Sequence, residues 1–281
     1  MHMPLRLLLI RHGLSSFNLE RKIQGRNNLS TLTKEGEQQA FKTGIALSAI
    51  HINAVYSSPL ERAASTTKKL LEGKGVSPTP VFSEGLLEID LTPWSGLTAN
   101  EVKQKFPKEY LTWKKQPQNL VLTNVNGKPY KPVEELMAQA KGFLNSLLKQ
   151  HSLRNEDTVL IVGHNAILRC LILILLGEPE QGLQRIQIDN SSISVFNLIP
   201  NPDKRYQVQI ECLNSTSHLD DPLPKRRANA RLILVRHGET NWNKEGRFQG
   251  QIDIPLNKNG HLQAKAAEAF LKKDHIDKAF S

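Results

Sequence analysis

The chain has 281 residues, 39% apolar and 23% charged, an ordinary globular balance that excludes a disordered chain. Its 37 basic and 27 acidic residues leave a formal charge of +10, which suits an anionic partner, either nucleic acid or a phosphorylated metabolite. The apolar stretch at 171–176 is far shorter than the ~20 residues a membrane span needs, so no membrane partner is expected.

Residues 1–10 run straight into Arg11 and His12 with no small-residue cleavage site. They do not read as a secretory signal, and a cytoplasmic protein is expected. Residues 5–10 form a continuous apolar run, the pattern of a buried strand. The spacing of Ala40, Gly44, Leu47 and Ile50 predicts a helix over 34–50, and a short strand follows at 54–56. Ser58-Pro59 opens a predicted helix over 60–71. Helices are predicted over 100–106 and 133–150, and a β-rich strand over 158–162. An apolar helix over 166–176 is ended by Gly177 and Pro179, and strands are predicted over 192–198 and 206–213. Strands alternating with helices argue for an α/β fold, a mostly parallel central sheet with helices on both faces. Cys170 and Cys212 form no metal-type or disulfide framework and read as reduced thiols. The basic residues are spread along the chain, with one dense run at 225–227 and no recognition motif, so no nucleic-acid partner is expected.

The chain repeats itself. Residues 7–13 read LLLIRHG and residues 232–238 read LILVRHG, 225 positions later. NLERKIQGRNN is then matched by NKEGRFQGQID, LTKEGEQQA by LNKNGHLQA, and AVYSS by KAFS. Four blocks in one order indicate a duplicated domain rather than a short-period solenoid. We expect a first domain over 1–213, an exposed linker over 214–229, and over 230–281 the N-terminal part of a truncated second copy. About fifty residues of an α/β unit cannot bury a full core.

Three polar clusters fall at strand-to-helix junctions: Arg11-His12-Gly13, residues 57–62, and Gly163-His164-Asn165. Backbone N–H groups and a helix dipole favour an anion there, and in an α/β sheet the site lies at the carboxyl ends of the strands. RHG at 11–13, SSPLERAAST at 57–66, LLEI at 86–89 and GHNAILR at 163–169, in that order, resemble the histidine phosphatase superfamily of phosphoglycerate mutases and phosphatases. The resemblance runs from Leu5 to about Leu213 and over the first quarter of a second copy. It implies a phosphoglycerate mutase-like fold, His12 as a nucleophile that carries phosphate, and Arg11, Arg62 and His164 as its clamp. Ser15, Asn18 and Asn165 would add hydrogen bonds, and Glu88 would be the general acid, with Asp90 in reserve. The chemistry is consistent with these roles. Guanidinium groups match phosphate oxygens, and a histidine can split one displacement into two. An acid beside so much positive charge needs partial desolvation to keep its proton.

Two departures stand out. Leu14-Ser15 occupies the place where the family usually has Glu and then Thr or Ser, and a reshaped pocket rim is expected. The second copy keeps Arg236, His237 and Asn243 but no partner arginine, acid or distal histidine, so it is an incomplete site. Residues 105–136 resemble the insertion of phosphatase-type members. Their Lys108, Lys114, Lys115, Lys128 and Lys131 suggest a cap over a substrate with a second anionic group. The expected activity is a metal-independent phosphatase on a small phosphoester, with no cofactor. The alternatives are a phosphoglycerate mutase, which would need 2,3-bisphosphoglycerate, and an inactive binding or regulatory relative.

Overall fold

Leu7 to Ile10 are buried because they lie at the centre of a sheet covered on both sides. The computed structural model describes residues 4–151, 153, 156–203, 206–220, 223, 230–272 and 274–281. Its elements begin with β1 (Leu5–Arg11), α1 (Ser16–Leu19), α2 (Lys34–Ala46), β2 (Ala54–Ser57), α3 (Glu61–Lys74) and β3 (Val81–Phe82). There follow α4 (Ala99–Lys105), α5 (Pro107–Lys115), β4 (Leu122–Thr123), β5 (Pro129–Tyr130) and α6 (Pro132–Gln150). The last are β6 (Thr158–Gly163), α7 (Asn165–Leu176), β7 (Ile193–Pro200), β8 (Tyr206–Ser215), α8 (Asn241–Lys244) and α9 (Lys258–Leu271). The chain divides into two compact units, Met1–Pro224 and Lys225–Ser281.

The first unit holds a six-stranded sheet in the order β3-β2-β6-β1-β7-β8. β3, β2, β6 and β1 are parallel, and β7 and β8 complete one edge antiparallel. Leu5, Leu7 and Leu9, with Val159, Ile161, Phe196 and Leu198, pack on one face among residues of α6 and α7. Leu8 and Ile10, with Leu160, Val162 and Val195, pack on the other with Leu47 and with Leu70 of α3. The two-residue period of a strand sends neighbours to opposite faces, so a doubly covered strand must be apolar throughout. Register sets the site: Arg11 lies opposite Gly163, and Ser57 opposite Val162. His12 and His164 therefore leave the sheet side by side.

The structure departs from the sequence reading at α2, at α5, which was not predicted, and at the linker. α2 stops at Ala46, where the Leu47 N–H caps the carbonyls of Thr43 and Gly44, although Leu47 and Ile50 still pack on the core from the turn that follows. α5 starts on Pro107, whose ring suits a first helical turn, and buries no residue fully, so it carries little apolar signal. The linker expected from residue 214 begins later. β8 runs to Ser215, the Asn214 side chain bonds Asp189, and His218 Nε2 lies 2.9 Å from Thr43 Oγ1 and 3.1 Å from the Ser191 carbonyl. Of the remaining linker residues, 221, 222 and 224–229 lie outside the described residues.

In the second unit, residues 232–235 form no strand, and Leu232, Leu234 and Val235 are 82%, 85% and 61% exposed. Its turns nonetheless copy the first unit. Ser15 and Asn18 make a capping box on α1, as Thr240 and Asn243 do on α8. A Cβ on Gly13 would sit 2.4 Å from the Gly36 carbonyl oxygen, and one on Gly238 would sit 2.3 Å from that of Gly260. Only glycine permits either approach.

Candidate active site

Arg11 ends β1 and His12 follows it, Arg62 lies in the first turn of α3, and His164 precedes α7. The imidazoles of His12 and His164 have ring centroids 5.2 Å apart. His12, Arg62 and His164 are at most 2% exposed and Glu88 is 9% exposed, so four ionisable groups meet largely out of water. The cleft beside them has a volume of about 390 Å³ and is walled by Arg11, His12, Arg62 and Glu88.

Each group is anchored. His12 Nδ1 lies 2.8 Å from the Gly13 carbonyl oxygen. A carbonyl only accepts, so the ring proton sits on Nδ1 and the lone pair is left on Nε2. Burial, followed by the charges of Arg11 and Arg62, holds the His12 pKa well below the ordinary histidine value. Burial, followed by the charges of Arg62, His12 and Arg11, does the same to His164, whose Nε2 lies 2.8 Å from Ser58 Oγ. The Arg62 guanidinium donates to the Asn27 and Gly25 carbonyls at 2.9 and 2.8 Å; burial pulls its pKa down to about 10, with Glu88 opposing. Arg11 donates to the Ile188 carbonyl at 2.7 Å.

Glu88 approaches from the loop after a 3-10 turn at Glu84–Leu86. Its Oε1 accepts from the N–H groups of Ile89, Ala166 and Ile167 at 2.8, 3.1 and 3.3 Å, and its Oε2 from Ala166 at 3.2 Å. The positive end of α7 thus faces the carboxyl group. Asp90 is used elsewhere: its Oδ1 caps Thr92, and Tyr130 donates to its carbonyl at 3.2 Å.

Asn165 joins the cavity wall, but Ser15 and Asn18 do not. The Ser15 hydroxyl and N–H both donate to Asn18 Oδ1, at 2.9 and 3.2 Å, so the pair braces the turn behind His12. Leu14 is also absent from the wall, and its backbone ties to Gln39 and Thr33. Glu239, its counterpart, accepts from Asn257 beside α9. Of the five insertion lysines only Lys114 reaches the cavity. Lys131 pairs with Glu134 at 3.1 Å, and Lys108, Lys115 and Lys128 are exposed. In the second unit His237 repeats the bond to its neighbour's carbonyl at 2.7 Å but is exposed. A cavity there of about 1120 Å³ takes in Arg236 and His237 but not Asn243.

Asn190 and Thr66 went unassigned in the sequence reading. Asn190 Nδ2 donates to the His12 and Gly13 carbonyls at 2.9 and 3.1 Å and lies 3.1 Å from Asn18 Oδ1. Thr66 Oγ1 accepts from the Gly13 N–H at 2.9 Å. Thr66 sits inside the quoted SSPLERAAST block, whereas Asn190 lies in a turn 178 residues from its partner, with no local pattern to reveal it. Among the described residues no group of three or more His, Cys, Asp or Glu could hold a metal ion, and no helix is long and apolar enough to cross a membrane.

The sequence model of the histidine phosphatase superfamily (branch 1) matches residues 7–208 and again 232–281. A 2-carboxy-D-arabinitol-1-phosphatase of Triticum aestivum is 32% identical over 273 residues, 95% of this chain and 52% of that protein. The chain thus spans about half the length of this relative, and likewise 48% of a probable counterpart from Arabidopsis thaliana. A probable phosphoglycerate mutase of Citrobacter koseri is 30% identical and covers 78% of the chain, with 96% of its own length matched. The crystal structure of a phosphoserine phosphatase from Entamoeba histolytica in complex with 3-phosphoglyceric acid superposes with a TM-score of 0.61. It is 28% identical and covers 76% of this chain and 98% of its own. The motifs, the sheet and these matches agree: the chain belongs to branch 1 of the histidine phosphatase superfamily.

Proposed function

We propose that this chain is a phosphatase that hydrolyses a small phosphomonoester through a phosphohistidine at His12. The observation that carries the reading is the Gly13 carbonyl at His12 Nδ1, which leaves the Nε2 lone pair for phosphorus in a buried site between Arg11 and Arg62. In the first step Nε2 bonds to phosphorus, the bond to the ester oxygen breaks, and a protonated Glu88 gives its proton to the departing alkoxide. Arg11, Arg62 and His164 hold the remaining phosphoryl oxygens, whose charge is greatest at this point. The Glu88 carboxylate left behind is stabilised by the N–H groups at the start of α7. It then takes a proton from water, the hydroxide oxygen bonds to phosphorus, and the N–P pair returns to Nε2. The resident groups complete the cycle with no metal ion.

The Triticum, Arabidopsis and Entamoeba relatives all carry phosphatase names, which supports water as the acceptor. The probable mutase favours the second reading, in which a phosphoglycerate takes the phosphoryl instead. The test follows inorganic phosphate and 2-phosphoglycerate together, from 3-phosphoglycerate and phosphoserine, with and without 2,3-bisphosphoglycerate. Phosphate release that disappears in His12→Ala and persists in EDTA is the expected result. Bisphosphoglycerate-dependent 2-phosphoglycerate with little free phosphate would make the chain a mutase.

A further inference from the structure

We infer that Arg26 and Gln139 are positioning residues for Glu88, which hold the loop that carries it so that its carboxyl group meets the leaving oxygen. This rests on the phosphatase reading of the same site, with Glu88 as the acid. The carbonyls of Gly85, Leu87 and Glu88 lie outside every strand ladder and α-helix of the sheet domain, so they need donors from elsewhere. Two side chains supply them. Gln139 of α6 donates from Nε2 to the Leu87 and Gly85 carbonyls at 2.9 and 3.3 Å. Arg26 donates from Nε to the Glu88 carbonyl and from Nη2 to Gln139 Oε1, both at 2.8 Å. Three carbonyls of one loop are thus fixed by two side chains that are fixed to each other.

Both residues act through Glu88. They are half-buried and do not line the cleft, whose wall Glu88 joins. The N–H groups at the start of α7 hold the carboxyl end of Glu88 and Arg26 holds its backbone end, so the residue is fixed at both ends. Arg26 also stands between the two carbonyls that hold the phosphoryl clamp, because Gly25 and Asn27 accept from Arg62 at 2.8 and 2.9 Å. One loop therefore ties the clamp to the acid and sets the spacing between them. The spacing matters because an acid transfers its proton only within hydrogen-bond reach, about 2.6–3.2 Å between heavy atoms.

The test is leaving-group dependence. p-Nitrophenolate spreads its charge onto the nitro group and departs without a proton, whereas phenolate is a stronger base and departs faster with one. kcat/KM covers the steps only up to release of the alcohol, so the later hydrolysis of the phosphohistidine does not enter. The quantity read is kcat/KM for p-nitrophenyl phosphate divided by that for phenyl phosphate. Both are measured on one preparation of the full chain, so the folded fraction cancels. Arg26→Met and Gln139→Leu should each raise this ratio at least about fivefold, in the same direction as Glu88→Gln, the reference for a lost acid. A merely structural defect lowers both substrates together and leaves the ratio where it was. A smaller rise in Arg26→Met overturns the role of Arg26, and a smaller rise in Gln139→Leu that of Gln139. Turnover that depends on His12, with a ratio moved by Glu88→Gln but by neither of these variants, removes the positioning role alone. A ratio unmoved by Glu88→Gln removes Glu88 as the acid and the inference with it. Absence of any turnover that is lost in His12→Ala removes the phosphatase reading as a whole.

Discussion

At the scale of single residues, the site depends on who holds His12. Asn190 contacts the carbonyls on both sides of the Gly13 amide and the Asn18 cap. Its own turn is locked by the Asp189 N–H donating to Asn214 Oδ1 at 2.7 Å, and Ser191 follows in the left-handed region at φ 55°. Asn190→Ala removes the brace without touching the cavity wall. A misplacement of about 1 Å costs on the order of 100-fold, so kcat should fall about 10- to 100-fold with little change in KM, measured by steady-state kinetics. The acid limb of kcat/KM set by His12 should lie below pH 6.5, the ordinary histidine value, because burial and two guanidinium charges disfavour its cation. A pH–rate profile checks this; a limb at or above that value would contradict it. The same shift acts on stability. Below about pH 6.5 the unfolded chain binds a proton that native His12 refuses, so stability is fully present above that pH and falls below it. Denaturant melts from pH 5 to 8 should show a smaller decline at low pH in His12→Ala.

Among the elements, β1 and its counterpart at 232–235 share a sequence pattern and differ in environment. Leu8 is fully buried between β6 and β7, whereas Leu234 is 85% exposed. Leu8→Ala should cost about 2–5 kcal/mol for the lost contacts and the cavity left behind. Leu234→Ala should stay within about 0.5 kcal/mol. Urea unfolding reads both. Hydrogen exchange on the intact chain should find the β1 amides protected and those of 232–235 fast, since only the former have ladder partners. β1, β6 and α7 were legible in advance because a doubly covered strand and a buried helix must be continuously apolar. α5 was not, because it covers the site with an amphipathic surface that buries no residue fully.

For the molecule as a whole, two RHG turns with the same local bonds have unequal surroundings. His12 has Arg62, Glu88 and His164 around it, while among the described residues the cavity at His237 is lined by no second arginine, no glutamate and no second histidine. His237→Ala should therefore leave phosphate release within about twofold of wild type, whereas His12→Ala abolishes it; product assays on the two variants decide. A loss in His237→Ala would mean that the second unit takes part in turnover.

From the sequence came the α/β class and, through motifs that resemble those of the family, His12, Arg11, Arg62, Glu88 and His164 as a set. Each of these rests on local pattern: apolar runs, breakers, and motif residues at strand ends. The structure decided the rest, because it depends on neighbours distant in the chain. It set Ser15 and Asn18 behind His12 as a cap, spent Asp90 on a turn, and brought Lys114 alone of the five insertion lysines to the cavity. Asn190 supports a carbonyl 178 positions away, and no periodicity encodes a contact made only when β1 and the turn before β7 come together.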